Sequence, residues 1–253
     1  MTVAHPWLRA TPVGHPRPWR MLWITAAWGS CFVAITIALE DAPVLWLAAL
    51  RALIAGAALA LLIGIQRVPI PREPWTWVLV VCLGAVNIAV AFATMFGAAT
   101  GLSTGIASVL ANAQPILILL PAWWIYRERP TPVAIVAIAL GFAGLLVIVL
   151  PVGLGSGAWI ALTSAAATTA GTLIGRIVQA DPRFVAAAQL LIGGALLAGT
   201  AAFAEGPPRI YWSIPFLLAL LFLSLVGTAA TTVAWFTETR RARLDILAAW
   251  TLL

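Results

Sequence analysis

Apolar runs of about twenty residues, separated by short polar stretches, recur along the whole chain. They cover residues 20–39, 43–65, 75–97, 101–126, 131–150, 156–178, 182–203 and 212–237, and a ninth starts near 246 and runs to Leu253. At 1.5 Å per residue, each of the first eight is long enough to cross roughly 30 Å of hydrocarbon. Backbone amides find no water there, so each run is predicted to be a helix that bonds its own peptide groups. The fold class predicted is all-α, a polytopic membrane protein.

Composition narrows the picture. The 253 residues are 63% hydrophobic and 9% charged, with mean hydropathy +1.05, whereas a soluble domain is about 25% charged. The net charge is +6. All fourteen basic residues are arginines lying mostly between the apolar runs, and they form no single face, which argues against nucleic acid as a partner. Cys31 and Cys82 fall inside apolar runs with no disulfide or metal spacing, and His5 and His15 lie in a Pro-rich tail. No HExxH, GxSxG or mid-run acid pair is present, so neither an enzyme nor a cofactor is expected. The basic tail and the run after it resemble a signal peptide only loosely. Residues 21–39 exceed an ordinary h-region and read as a retained first span.

The arginines also give an orientation. If the N-terminus is cytoplasmic, Arg9, Arg17, Arg20, Arg67, Arg72, Arg127, Arg129, Arg176, Arg183, Arg240, Arg241 and Arg243 all fall inside. Only Arg209 falls outside, Arg51 lies within a run, and the first outer loop is acidic at Glu40 and Asp41. Positive charge retained on the cytoplasmic side predicts a multi-pass protein of the cell inner (plasma) membrane, N-terminus in. Trp19, Trp23, Trp75, Trp77, Trp123, Trp124 and Trp212 sit at run ends, where an amphipathic ring favours the interface.

An internal repeat shows in two places. "PVLWLAALRALIAG" (43–56) aligns with "PRFVAAAQLLIGG" (182–194), matching Arg51 to Gln189 and Gly56 to Gly194. "GLSTGIASVLANAQ" (101–114) aligns with "RRARLDILAAWTLL" (240–253), at a shared offset of about 139. Five spans separate the copies, so the second enters the membrane from the opposite side, as in the inverted repeats of many secondary transporters. At that offset Pro115 pairs with position 254, so the second repeat is expected to be C-terminally incomplete.

"WGSCFVAITIAL", the Arg of the second run, "LANAQPILILLPAWWIYRERPTPVAIVAIALGFAGLLVIV" and "QLLIGGALL" together resemble the EamA family of the drug/metabolite transporter superfamily. The resemblance implies ten helices in two inverted five-helix bundles, eight complete spans plus part of a ninth being visible here. The organisation expected is a cytoplasmic tail (1–20), a first repeat (21–150) and a second, truncated repeat (156–253). It implies a carrier in the lipid bilayer that moves a small-molecule substrate, amino-acid-like or another small organic solute. Export by alternating access through a central cavity is the mode expected. The competing reading is a non-transporting membrane fragment that lacks the last helices.

Polar residues inside the runs are the candidate site, because a polar group in lipid is costly unless paired or facing water. Thr104, Ser108 and Asn112 share one stripe of the fourth run, ahead of Pro115, which is read as a hinge that frees a carbonyl. Gln114 lies off that stripe and is read as bonding a neighbouring helix. Glu128, in "RER", is either a gate latch or a topology anchor. Trp28, Ser30, Asn87, Thr168 and Thr232 are the other expected substrate contacts, with lipid or core packing as the alternative for Trp28 and a structural helix–helix bond for Asn87. Arg51 lies about 12 Å below the outer end of its helix. Two readings stay open for it: a charge that attracts an anion, or a structural cation bonded to backbone carbonyls.

Overall fold

The computed structural model describes residues 14–251, apart from 103, 112, 127–130, 133–134, 138, 142, 145–146 and 148–155. The side chains of 101, 104, 105, 108, 116, 120 and 156 also lie outside the description.

The described residues are mostly helical within their apolar runs. In chain order they form α1 (Pro18–Leu39), α2 (Val44–Ile65), α3 (Pro74–Leu83), a π-helical segment (Gly84–Val90), α4 (Ala91–Gly101), α5 (Thr104–Ala111) and α6 (Gln114–Tyr126). Then come α7 (Ser156–Ile177), α8 (Pro182–Ala204), α9 (Ile214–Leu221), a second π-helical segment (Phe222–Ala230), α10 (Thr231–Thr239) and α11 (Leu244–Trp250). Among the described residues, six helices are long and apolar enough to cross a membrane: Pro18–Leu39, Val44–Ile65, Pro74–Thr100, Gly157–Ile177, Pro182–Ala204 and Ile214–Thr239. Of the predicted run 131–150, the described positions from 132 to 147 are helical.

Local chemistry explains the helix starts. Pro18, Pro74 and Pro182 open α1, α3 and α8, where the missing N–H costs nothing and the ring pre-sets φ. Asp181 and Ser213 cap α8 and α9 by accepting from the amides of Arg183 and Phe216. The first amides of α2 are capped from elsewhere: Leu45 and Trp46 donate to the Glu205 carboxylate at 2.9 and 3.1 Å. The carboxylate also complements the positive end of the helix dipole.

Eight complete spans were expected; two of those runs, 101–126 and 131–150, are not among the six. The run 101–126 is not a single helix: α5 ends at Ala111, Ala113 is non-helical, and α6 begins at Gln114. Pro115 therefore sits in the first turn of a new helix, where it is tolerated, and not within a continuous one. Pro121 is the proline inside α6.

Each boundary from Pro18 to Ala111 recurs further along the chain. Pro18 and Ser156, Val44 and Pro182, and the two π-helical starts Gly84 and Phe222 are each 138 residues apart; Pro74 and Ile214, and Thr104 and Leu244, are 140 apart. The α2–α8 interface is reciprocal at this spacing. A Cβ on Gly56 would lie 2.9 Å from Leu191 Cγ, and one on Gly194 would lie 2.9 Å from Leu53 Cδ2. Glycine fits both notches because any Cβ would meet the opposing leucine, whose side-chain atoms lie nearest.

Polar contacts sort to the two ends of the bundle. At one end Arg20 pairs with Glu238 at 2.7 Å, Arg183 bonds Gln66, and Arg240 donates to the Val178 carbonyl. At the other end Tyr211 N donates to the Asp41 carbonyl, Ser213 bonds the Asp41 carboxylate, and Trp46 Nε1 donates to Gly206 O. Between these ends the outer surface is apolar. Leu61, Val81, Leu140, Trp159, Phe203 and Leu218 are all exposed, as a lipid-facing surface requires.

Candidate functional site

A cavity of about 110 Å³ lies among the spans. Its wall is drawn from α1, α2, both π-helical segments, α4, α7 and α10, and from both sides of the break at Ala113, through Ala111 and Gln114. A broken helix beside a cavity is tolerated because its freed backbone groups face the cavity or neighbouring protein and not lipid. The π-helical segments also meet the wall, the first through Asn87 and the second through Gly227 and Thr228. Wide turns of this kind are rare and concentrate at functional sites.

Arg51 is the one cation among the described residues of the wall and is 3% exposed. Its Nε donates to Thr228 Oγ1 at 2.6 Å and its Nη2 to the Gly227 carbonyl at 3.3 Å, with Cys31 Sγ 3.6 Å from Nη2. The guanidinium lies over the rings of Phe92 and Phe96, 4.7 and 5.6 Å from their centroids. Gly227 is small for this reason: a Cβ there would lie 2.4 Å from Cys31 Sγ and 3.8 Å from Arg51 Nη2. Gln189, at the matching place in α8, accepts from Asn87 Nδ2 at 3.1 Å in the first π-helical segment. The central polar residue of each long helix thus reaches the π-helical segment 176 or 102 residues away in sequence.

A second cluster on the wall is polar and aromatic. Gln114 Nε2 and Trp235 Nε1 both donate to Thr172 Oγ1, at 2.7 and 3.3 Å. Trp28 packs on Trp235 with ring centroids 5.2 Å apart and planes tilted 58°. Ser164 donates to the Ala91 carbonyl, which ties α7 to α4.

The structure brings together Trp28, Arg51, Asn87, Thr168 and Thr232, all expected in the site and all on the cavity wall. The hydroxyl of Thr168 is spent on the Ser164 and Ala165 carbonyls of its own helix, so Thr168 presents its methyl or a shared oxygen. Ser30 is a correction. It is exposed on the outer face, bonds the Ala26 carbonyl at 2.8 Å, and borders an apolar surface groove with Val33, Ile37 and Leu218. The α1 face bearing Trp28 turns inward, and two residues on at 100° each turns Ser30 away. Pro115 is buried in the first turn of α6, away from the cavity wall and against Trp235, Leu244 and Ala248. Thr104 and Ser108 lie in α5 with side chains outside the described residues; Asn112 and Glu128 lie outside them altogether.

Sequence reasoning missed Cys31, Phe92, Met95 and Phe236 as wall residues. It read Gln114 as a partner of a neighbouring helix, and the bond to Thr172 is of that kind, yet Gln114 also lines the cavity. Gly171 and Gly175 do serve close packing: their hydrogens face Asn87 and Phe236, where a Cβ would clash at 2.3 Å.

Residues 20–150 match the model of the EamA-like transporter family, slightly more than half of the chain. The uncharacterized transporter YvbV of Bacillus subtilis is 27% identical over 240 residues, covering 92% of this chain and 78% of its own length. Protein PecM of Dickeya dadantii is 26% identical over 216 residues, covering 83% and 70%. A solved crystal structure superposes with a TM-score of 0.72 at 20% identity, covering 92% of this chain and 82% of the other, and supports the fold.

Proposed function

The chain belongs to the EamA-like transporter family, and on that premise we propose that it is a carrier moving a small organic solute across the membrane by alternating access, in the export direction. The observation that carries this reading is the central cavity. Its wall joins residues of the first 111 positions (Trp28, Arg51, Asn87) to residues of the later helices (Thr172, Thr228, Trp235) at mid-span depth. Carriers bind at such a level, between two structural halves that rock around a fixed site.

Two halves related by inversion are part of the proposal. It is supported by helix boundaries repeating at 138–140 residues, by the reciprocal glycine–leucine contacts of α2 and α8, and by the crossed attachment of Arg51 and Gln189 to opposite π-helical segments. The arrangement of five helices per half, ten in all, is the family expectation. The cytoplasmic end is assigned to the face bearing Arg20, Arg183 and Arg240, and the outer end to that of Asp41 and Glu205, which the arginine bias favours.

The test is flux in proteoliposomes. Solute movement is expected from a panel of small metabolites, and Thr232→Trp, which fills the cavity, is expected to reduce it at least about tenfold while leaving the folded yield unchanged. Absence of flux for every solute, from protein that is monodisperse and folded, would overturn the reading.

A further inference from the structure

The charge of the cavity says more than its shape, and the inference below rests on the transport reading. Among the described residues of the wall, Arg51 carries the only charge. Its Nε and Nη2 are occupied by Thr228, Gly227 and Cys31, while Nη1 has no hydrogen-bond partner among the described residues. Phe92 and Phe96 offer ring faces, which soften the loss of water but supply no negative charge and leave Nη1 unbonded. The described carboxylates are elsewhere, at helix ends and in turns: Glu205 caps α2, Asp181 caps α8, and Glu238 pairs with Arg20. A cation left unpaired in a low-dielectric interior is expensive, and so is an unbonded buried donor.

One ligand removes both costs. A carboxylate neutralises the guanidinium and accepts from the N–H groups of Nη1, the nitrogen left without a partner. One positive charge matches one carboxylate better than a doubly charged phosphate. Among the described residues of the wall none bears a negative charge to hold an ammonium, so they offer a zwitterionic amino acid only half a site. Phe92 lies against Arg51, and the wall also carries the rings of Trp28 and Trp235. At about 110 Å³ the space is somewhat smaller than the ~150 Å³ apolar cavity that holds a benzene molecule. We propose that the cavity selects a small net-anionic solute, a monocarboxylate with an aromatic or short aliphatic body, anchored by Arg51.

Benzoate, benzamide and benzamidine share one shape and carry charges of −1, 0 and +1. Their binding to the purified full chain in lipid nanodiscs is read by quenching of tryptophan fluorescence. Benzoate is expected to bind at least about tenfold more tightly than the other two, and Arg51→Gln to lose at least about tenfold of that affinity, Arg51→Lys less. Equal affinity for the three probes, no binding of benzoate, or unchanged binding in Arg51→Gln would each overturn the proposal. Should Arg51→Gln fail to fold, the charge series on the unaltered protein decides alone. Flux separates this proposal from the one on which it rests. Benzamide moving as fast as benzoate, with Thr232→Trp stopping both, removes the anion site and keeps the carrier. Arg51-dependent benzoate binding with no movement of any solute removes the carrier and keeps the anion site.

Discussion

Asp181 shows how much one side chain at a helix end carries. Its carboxylate accepts from the Arg183 amide at 2.8 Å and from the Arg183 guanidinium at 2.9 and 2.8 Å. The Arg183 side-chain bonds, above all, hold the Asp181 carboxyl below the ordinary carboxylate range. A depressed folded value means that the stabilisation is present above the unfolded value, about pH 4, and fades as pH falls through the folded one. Asp181→Asn is expected to cost about 1 kcal/mol at neutral pH, mostly as a weakened cap, since the ion pair is partly exposed. Thermal unfolding in detergent should show the variant's deficit at pH 7 shrinking below about pH 4. At this scale the sequence was half readable. Polar residues within apolar runs mark themselves, and Arg51, Asn87 and Thr232 were found that way. Cys31, Phe92 and Met95 were not, because an apolar side chain facing a cavity looks the same in sequence as one facing lipid. Ser30 erred in the other direction: a hydroxyl that bonds its own helix needs no cavity at all.

Among the elements, α8 is the most constrained. A Cβ on Gly193 would lie 2.4 Å from the Gly84 carbonyl oxygen and from Ile88 Cβ, and a backbone oxygen cannot rotate aside. Gly199, six residues on, has nothing within 4 Å. Gly193→Ala is therefore expected to destabilise by roughly 1–3 kcal/mol, and Gly199→Ala to be neutral or to stabilise by up to ~1 kcal/mol, as read from unfolding temperatures measured side by side. Span lengths and ends were legible in hydropathy, because lipid leaves no other choice than a helix. The break at Ala113 and the π-helical segments were not. A π turn has no compositional signature, and the sequence around Pro115 suits a kink as well as a restart.

Across the whole molecule, charge and repeat argue together. The arginine-rich end and the acidic end lie at opposite tips of the same helices, which makes the orientation testable. In a background lacking Cys31 and Cys82, a cysteine at Pro207 should react with a membrane-impermeant maleimide added to intact cells. A cysteine at Arg67 should react only after permeabilisation; the reverse pattern would invert the assigned topology. The membrane-spanning character and the transporter family were visible from the chain alone, while the cavity needed side chains from helices far apart in sequence to be placed against one another. The paired notches of α2 and α8 have a consequence for how such a chain can diverge. Any enlargement at 56 demands a trimming at 191, and any at 194 a trimming at 53. Drift along this line is therefore expected to proceed two positions at a time, each half of the polypeptide answering the other.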